Sequence, residues 1–220
     1  MNTPPRVVAV DGPAGSGKST LARGLALLLG LPHVNTGSMY RAVAAEALRQ
    51  GAAPSDGLSL ASISSALRFS LTDGHPPSLE VEGLSPEALT TLEVESSVSV
   101  VAALPEVRAV LRAAQRRIGE AHGAVMEGRD IGLVVFPDAP VKIFLDAGLD
   151  TRASRRAEER ASDAGSTADA LSVRDATDAR TTPLAPAPGA VVIATAGRSI
   201  PDTLDLAETI VRREAPELLA

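Results

Sequence analysis

A short apolar, β-branched run, Arg6–Val10, leads directly into Gly12-Pro13-Ala14-Gly15-Ser16-Gly17-Lys18-Ser19, and apolar residues then recur at helical spacing from Lys18 to Leu29. A buried strand, a glycine-rich turn and a helix in that order open an α/β fold. The turn also carries chemistry. Its glycines let backbone N–H groups turn inward towards an anion with no Cβ in the way. The helix that starts at its end directs its positive pole to the same place. Lys18 supplies a point charge for outer phosphates, and Ser19 a hydroxyl oxygen for Mg²⁺. Gly12 to Thr20 therefore reads as a cradle for a nucleoside triphosphate. Chance would produce such a pattern in roughly 1% of chains this long, and the strand before it and helix after it supply the required context.

The alternation continues. Further strands are predicted at Leu31–Asn35, Ala124–Glu127, Val141–Ala147 and Ala190–Thr195. Helices are predicted at Ser38–Gln50, Glu93–Ala103, Pro105–Ala121, Asp150–Ser162 and Thr167–Ala179, the last two joined by Asp163-Ala164-Gly165-Ser166. A capping box at Ser199-Ile200-Pro201-Asp202 opens a final helix. Five core strands with helical crossovers predict a doubly wound, five-stranded parallel sheet. Two short strands, Leu67–Thr72 and Ser78–Glu82, break the pattern as an antiparallel hairpin. Ser85-Pro86-Glu87 reads as another helix start. The core is expected over about 1–62, 96–149 and 182–220, with an insertion at 63–95 and a helical excursion at 150–181.

The 220 residues suit one domain. An apolar fraction of 45% with 22% charged residues excludes wholesale disorder. The absence of cysteine excludes disulfides, thiolate metal sites and a thiol nucleophile. Met1–Pro5 shows no signal pattern and no apolar stretch is long enough to span a bilayer, so a cytoplasmic protein with no membrane partner is expected. A net charge of −6 and few, scattered aromatics argue against a nucleic-acid binder. The acidity is local: Asp56, Asp73, Glu80, Glu82, Glu87, Glu93 and Glu95 face only Arg68 within residues 52–105, and the rest of the chain balances. The three histidines, His33, His75 and His122, lack metal-ligand spacing and are expected to be structural or solvent-facing.

A phosphate loop alone does not name a reaction. No Asn-Lys-x-Asp for guanine occurs, and the chain is short for an ATP-driven motor. A kinase for a small acceptor must hold a second anion opposite the triphosphate, which suits arginine's permanently charged, bidentate guanidinium. Two arginines fall where α/β sheets place ligands, beyond the carboxyl ends of strands: Arg41 in Thr36-Gly37-Ser38-Met39-Tyr40-Arg41, and Arg129 in Glu127-Gly128-Arg129-Asp130. Each taken singly reads equally as a surface turn. Arg152, Arg155, Arg156 and Arg160 lie along one predicted helix face. They form either a solvated face offset by Glu158 and Glu159, or a mobile lid that covers the phosphates and excludes water.

These stretches resemble the bacterial-type cytidylate kinase family of P-loop nucleoside monophosphate kinases. The resemblance rests on VDGPAGSGKST (Val10 to Thr20), TGSMYRA (Thr36 to Ala42), SVSVVAALPEVR (Ser97 to Arg108), EGRDIGLVVFPDAPVKIFLDA (Glu127 to Ala147) and RDATD (Arg174 to Asp178). It implies transfer of the ATP γ-phosphoryl group to CMP or dCMP with Mg²⁺, by a monomer. It implies that Lys18, Arg129 and Arg174 carry the transfer, and that Arg152 and Arg156 join Gly12 to Thr20 on ATP. Arg41 and Arg129 would hold the acceptor phosphate, with Thr36 beside them. Ser99, Arg108 and Asp130 would read cytosine, Arg174 and Asp178 the ribose, and Arg180 a phosphate. Residues 63–95 would be the monophosphate-binding segment and 150–181 the lid.

Four positions depart from the family pattern. Glu127 stands where aspartate is usual and keeps a carboxylate with an indirect Mg²⁺ role. Asn35 replaces a common aspartate, and Thr90-Thr91 lacks an arginine often found there. The spacing from Asp178 through Arg180 to Pro183-Leu184 is about two residues short. Rival readings are a kinase for another monophosphate or small acceptor, and a non-catalytic nucleotide-binding module. The Lys18-Ser19 pair argues against the module, and the set Ser99, Arg108 and Asp130 against another acceptor.

Overall fold

The computed structural model describes residues 4–160 and 164–219. In chain order it forms β1 (Val7–Asp11), α1 (Lys18–Leu29), β2 (His33–Asn35), α2 (Thr36–Gln50), α3 (Gly57–Ala66), β3 (Phe69–Leu71), β4 (Leu79–Val81), α4 (Leu92–Ala103) and α5 (Pro105–His122). It continues with β5 (Ala124–Gly128), β6 (Val141–Asp146), α6 (Leu149–Arg160), α7 (Ala164–Asp178), β7 (Val191–Ala194) and α8 (Ile200–Glu214).

Five strands make one parallel sheet in the order β2-β5-β1-β6-β7. This is the doubly wound α/β architecture that the alternation predicts. The central β1 is buried at every position, which explains its unbroken apolar run. Its side chains alternate between two layers. Val8 and Val10 meet Leu25 of α1 and Ile210 of α8 on one face. Val7 and Ala9 meet Met126 and Phe136 on the other. A further apolar layer joins Met39 and Val43 of α2 to Leu60 of α3, Val101 of α4 and Leu111 of α5. β3 and β4 pair antiparallel in a separate two-stranded sheet. α6 and α7 leave the carboxyl end of β6, pack on each other, and α7 also packs on α4.

The register brings Asp11 level with Gly128 and Phe144, and Asn35 level with Glu127. Four strands thus present their following loops along one edge. Asp11 fixes one of these loops. Its carboxylate accepts the backbone N–H groups of Ile131 at 2.9 Å and Gly132 at 2.8 Å. Residues Ile131–Val135 consequently wind as a single π-helical turn, closed by Phe136 N–H to Ile131 carbonyl at 2.7 Å.

Four local expectations differ from the structure, one being the predicted joining segment, whose Ala164, Gly165 and Ser166 already belong to α7. Ser85-Pro86-Glu87 begins one turn, with Leu89 N–H on the Pro86 carbonyl, and the next helix starts only at Leu92 under a Thr91 cap. α3 was not expected, because its serine-rich run buries only Leu60, Ile63 and Ser64. Strand ends shift by a residue or two, as for β1, which runs to Asp11. The predicted helix end at Ser162 and the joining residue Asp163 lie outside the described residues. No helix among the described residues is long and apolar enough to cross a membrane.

Candidate active site

The phosphate loop joins β1 to α1 at the carboxyl edge of the sheet. Gly12 is required by contact: a Cβ there would lie 2.5 Å from the Leu145 carbonyl oxygen. Gly15 has a φ of +74°, and a Cβ there would meet Arg152 at 3.2 Å. Lys18 folds back over the loop and donates to the Pro13 carbonyl at 2.6 Å. Burial, then the neighbouring Arg129, pulls its ammonium down to about 7, with Glu127 and Asp11 opposing.

Beside the lysine runs a chain of three side chains. Ser19 Oγ donates to Glu127 Oε2 at 2.9 Å, and Glu127 Oε1 lies 2.9 Å from His33 Nε2. Glu127 and His33 are buried, while the Ser19 residue is exposed at the mouth of the loop. Thr36 fixes the same spot from α2 by donating to the Glu127 carbonyl at 2.8 Å. Among the described residues no group of three or more His, Cys, Asp or Glu side chains could hold a metal alone. Ser19 and Glu127 are hard oxygen donors, so they fit a Mg²⁺ ion that draws its other ligands from phosphate and water.

The opposite wall is cationic. Arg129 donates to the Gly12 carbonyl at 2.9 Å and pairs with Asp178 at 2.8 Å. Burial lowers its pKa, and the Asp178 carboxylate offsets this. Arg41 donates to Ser38 Oγ at 3.0 Å, and its buried Nε has no hydrogen-bond partner. Burial lowers its pKa as well. Arg174 and Arg156 both reach Glu95, at 3.4 Å. The buried Nε of Arg174 is also without a partner. Unsaturated, buried guanidinium donors that converge on one space are what a bound polyanion would satisfy.

Beyond these arginines lies a polar pocket. Asp130 accepts from Arg108 at 2.5 Å and from Arg112 at 3.3 Å. Arg108 also donates to Thr182 Oγ1 at 3.0 Å and to the Ala102 carbonyl at 3.1 Å. Ser99 Oγ donates to Asp178 at 3.4 Å. Val98 and Ala102 supply apolar lining, and Tyr40 and Gln115 line the same cleft. One cleft therefore runs from Gly15 and Lys18, past Arg129, to Asp130.

The cytidylate kinase family model matches residues 8–213. The chain belongs to the cytidylate kinase family. It is 44% identical over 215 residues to the cytidylate kinase of Solibacter usitatus (strain Ellin6076), covering 94% of this chain and 92% of that protein. It is 41% identical to the cytidylate kinase of Mycobacterium avium (strain 104), with 95% and 96% covered. The corresponding protein of Streptomyces avermitilis is 38% identical, with 96% and 94% covered.

In this member of the cytidylate kinase family, the cleft gathers Ala14, Gly15, Lys18, Ser19, Thr36, Arg41, Ser99, Arg108, Arg129, Asp130, Arg156, Arg174 and Asp178, all expected from the sequence. Gly12, Pro13, Ser16 and Gly17 frame the loop behind them. Three expected residues stand elsewhere. Thr20 is exposed on α1 and does not line the cleft. Arg152 is buried against the loop's outer side, donating to the Ala14 carbonyl at 3.2 Å and to the Ala147 carbonyl at 2.9 Å, and pairing with Asp175 at 2.7 Å. It braces the loop and has no face in the cleft. Arg180 is exposed and outside the cleft, one residue before Thr181, which does line it. Arg155 grips Thr195 through two bonds, and the Arg160 side chain lies outside the described residues.

Sequence reasoning missed several residues. Arg112 and Gln115 share the α5 face of Arg108 at spacings of four and seven, a signal that was present. Asp11, Thr182 and the His33–Glu127 pair carry no local signal, since their partners lie 74 to 121 positions away in the chain and meet them only through folding; His33 and Glu127, for instance, are 94 positions apart.

Proposed function

We propose that the protein transfers the γ-phosphoryl group of ATP to CMP or dCMP in a Mg²⁺-dependent reaction, giving ADP and CDP or dCDP. One observation carries the reading: a single cleft has a phosphate loop at one end, the paired Asp130 and Arg108 at the other, and Arg129 and Arg174 between. The loop's N–H groups and Lys18 hold the triphosphate, and Ser19 with Glu127 would hold Mg²⁺. Mg²⁺, when bound, neutralises charge that develops between the outer phosphates. Arg41 and Arg129 bind the acceptor phosphate and set one of its oxygens in line with the γ-phosphorus. That oxygen already bears negative charge, so no general base is needed, and catalysis is positioning and charge stabilisation.

Asp130 supplies the selectivity. Its carboxylate accepts from the exocyclic amino group of cytosine and repels the carbonyl that uracil has there. Arg108 and Ser99 address the neighbouring acceptors of the base. Asp178 is within reach of the ribose hydroxyls once Arg129 turns to phosphate. Residues 63–95, which contain the β3–β4 hairpin, act as the monophosphate-side segment, and 150–181, which contain α6 and α7, act as a lid that brings Arg156 and Arg174 over the phosphates and keeps water out.

The test is direct. Purified protein with ATP and Mg²⁺ is offered CMP, dCMP, UMP, AMP, GMP and TMP in turn, and diphosphate formation is measured. CMP and dCMP should be the best acceptors, and a protein that turns over AMP or GMP but not CMP overturns the reading.

A further inference from the structure

Glu95 has no part in the transfer just described, yet it meets two of the arginines that the transfer needs. It lies in the first turn of α4, where any carboxylate is favoured by the helix dipole. That accounts for Glu93 beside it, which is exposed. It does not account for where Glu95 points. Glu95 stands one helical turn before Ser99, on the stripe of α4 that continues through Val98 and Ala102 into the cleft. Its carboxylate lies 3.4 Å from Arg156 of α6 and 3.4 Å from Arg174 of α7. It is also the strongest single charge acting to keep Arg41 protonated against burial. Guanidinium groups from two helices thus meet one carboxylate, and its charge also acts on the Arg41 guanidinium of a third.

A carboxylate and a phosphate present similar oxygens to a guanidinium fork, and the two anions repel one another. We propose that Glu95 is an internal counter-anion that pairs with Arg156 and Arg174 in the cleft that Arg41 also lines, and that the acceptor's phosphate must displace. The arrangement sets a threshold. Inorganic phosphate offers the arginines only what Glu95 already supplies. CMP adds the base contacts at Asp130, Arg108 and Ser99, and so brings additional binding free energy to the exchange. The carboxylate thereby screens the arginine cluster from free anions without blocking the nucleotide. The inference rests on the cleft being an acceptor-phosphate site, as proposed above.

Glu95→Gln tests it, because the amide keeps the shape and removes the charge. Calorimetric binding of CMP, cytidine and inorganic phosphate is compared in the wild type and the variant, with thermal melting to confirm the fold. CMP affinity should rise about tenfold, the order expected for removing one nearby charge from a partly buried anion site. Phosphate should become a stronger competitor of CMP by a similar factor, and cytidine, which lacks the phosphate, should bind as in the wild type. Equal weakening of CMP and cytidine would make Glu95 a ribose or base ligand and overturn the proposal, as would unchanged CMP and phosphate affinity. Glu95→Ala checks against a rearranged amide: it should reproduce the gain for CMP, and a loss there also overturns the proposal. Wild-type protein that binds no CMP at all would instead refute the acceptor assignment, so the two failures are distinguishable.

Discussion

Lys18 should take up a proton when ATP binds. Its ammonium sits at about 7, against an ordinary 10.5, because burial and Arg129 disfavour the charge. A triphosphate brings several negative charges within a few ångströms and returns the ammonium to, or above, its ordinary range. At pH 8 the free protein therefore carries a charged Lys18 in roughly one molecule in ten, and the complex in nearly all, so binding absorbs about 0.9 proton. At pH 6 the lysine is already charged and the uptake falls to about 0.1 proton. The sign follows from linkage: affinity for ATP falls as pH rises above 7, with a slope approaching one decade per unit. For the free fold, the unfolded chain binds more protons than the native one between about 7 and 10.5, so this group's unfavourable contribution is full below pH 7 and lifts as pH rises. Titration calorimetry of ATP at pH 8, in two buffers of different ionisation enthalpy, measures the uptake. Lys18→Met, which has no proton to gain, and Lys18→Arg, which is charged throughout, should both abolish it. Equal proton uptake by wild type and Lys18→Met would refute the argument.

Asp130→Ala should narrow the CMP-to-UMP ratio of kcat/KM by about 1–3 kcal/mol, chiefly through loss of CMP, since the amino-group acceptor goes and Arg108 and Arg112 are released with it. An unchanged ratio removes Asp130 from base reading. Glu127→Gln should raise the Mg²⁺ concentration for half-maximal rate by roughly 10–100-fold, because the partner of the Ser19 hydroxyl loses its charge. ATP affinity measured without metal should hardly change, and a parallel fall would place Glu127 on the nucleotide instead. Gly119→Ala should cost about 1–3 kcal/mol in denaturant unfolding while leaving CMP kinetics intact. Its Cβ would fall 2.6 Å from Phe136 Cζ and 3.2 Å from Val7 Cγ2 in the packed layer under α5.

What could be read from the sequence was local. The phosphate loop is eight consecutive residues whose types follow from what each must do, and the alternation of strand and helix gives the sheet its class. Arg129 and Asp130 were legible because they follow a strand that the apolar pattern already placed. Arg152 and Arg156 show the limit. They are four residues apart on one helix face, and spacing treats them alike. Only the docking of α6 against the loop decides that Arg152 braces Ala14 while Arg156 faces the cleft. The π-helical turn after Asp130 is equally non-local, because its cause is Asp11, whose carboxylate lies 120 positions away from the Ile131 N–H that it accepts. His33 was expected to be structural, and it is buried. Its specific use, holding Oε1 of Glu127, depends on the β2–β5 register.

The chain's acidity takes on a meaning in the structure that its sum of −6 conceals. Of the seven acids between residues 52 and 105, Asp56, Asp73, Glu80, Glu82, Glu87 and Glu93 are exposed, and Glu95 is turned inward. Exposed acids act on a nucleotide through water, where charges are screened over about 8 Å at physiological salt. They favour solubility and oppose approach only weakly. Glu95 acts at contact distance from arginines that are partly shielded from water, where the same unit charge counts for several times more. Because its partners sit on α6 and α7 while it sits on α4, the pairing also ties these helices together across the cleft. Phosphate binding must therefore replace one anion by another between the same helices. Closure then does not need to build an arginine cluster against its own repulsion, since the cluster is already assembled around a carboxylate and has only to change partners.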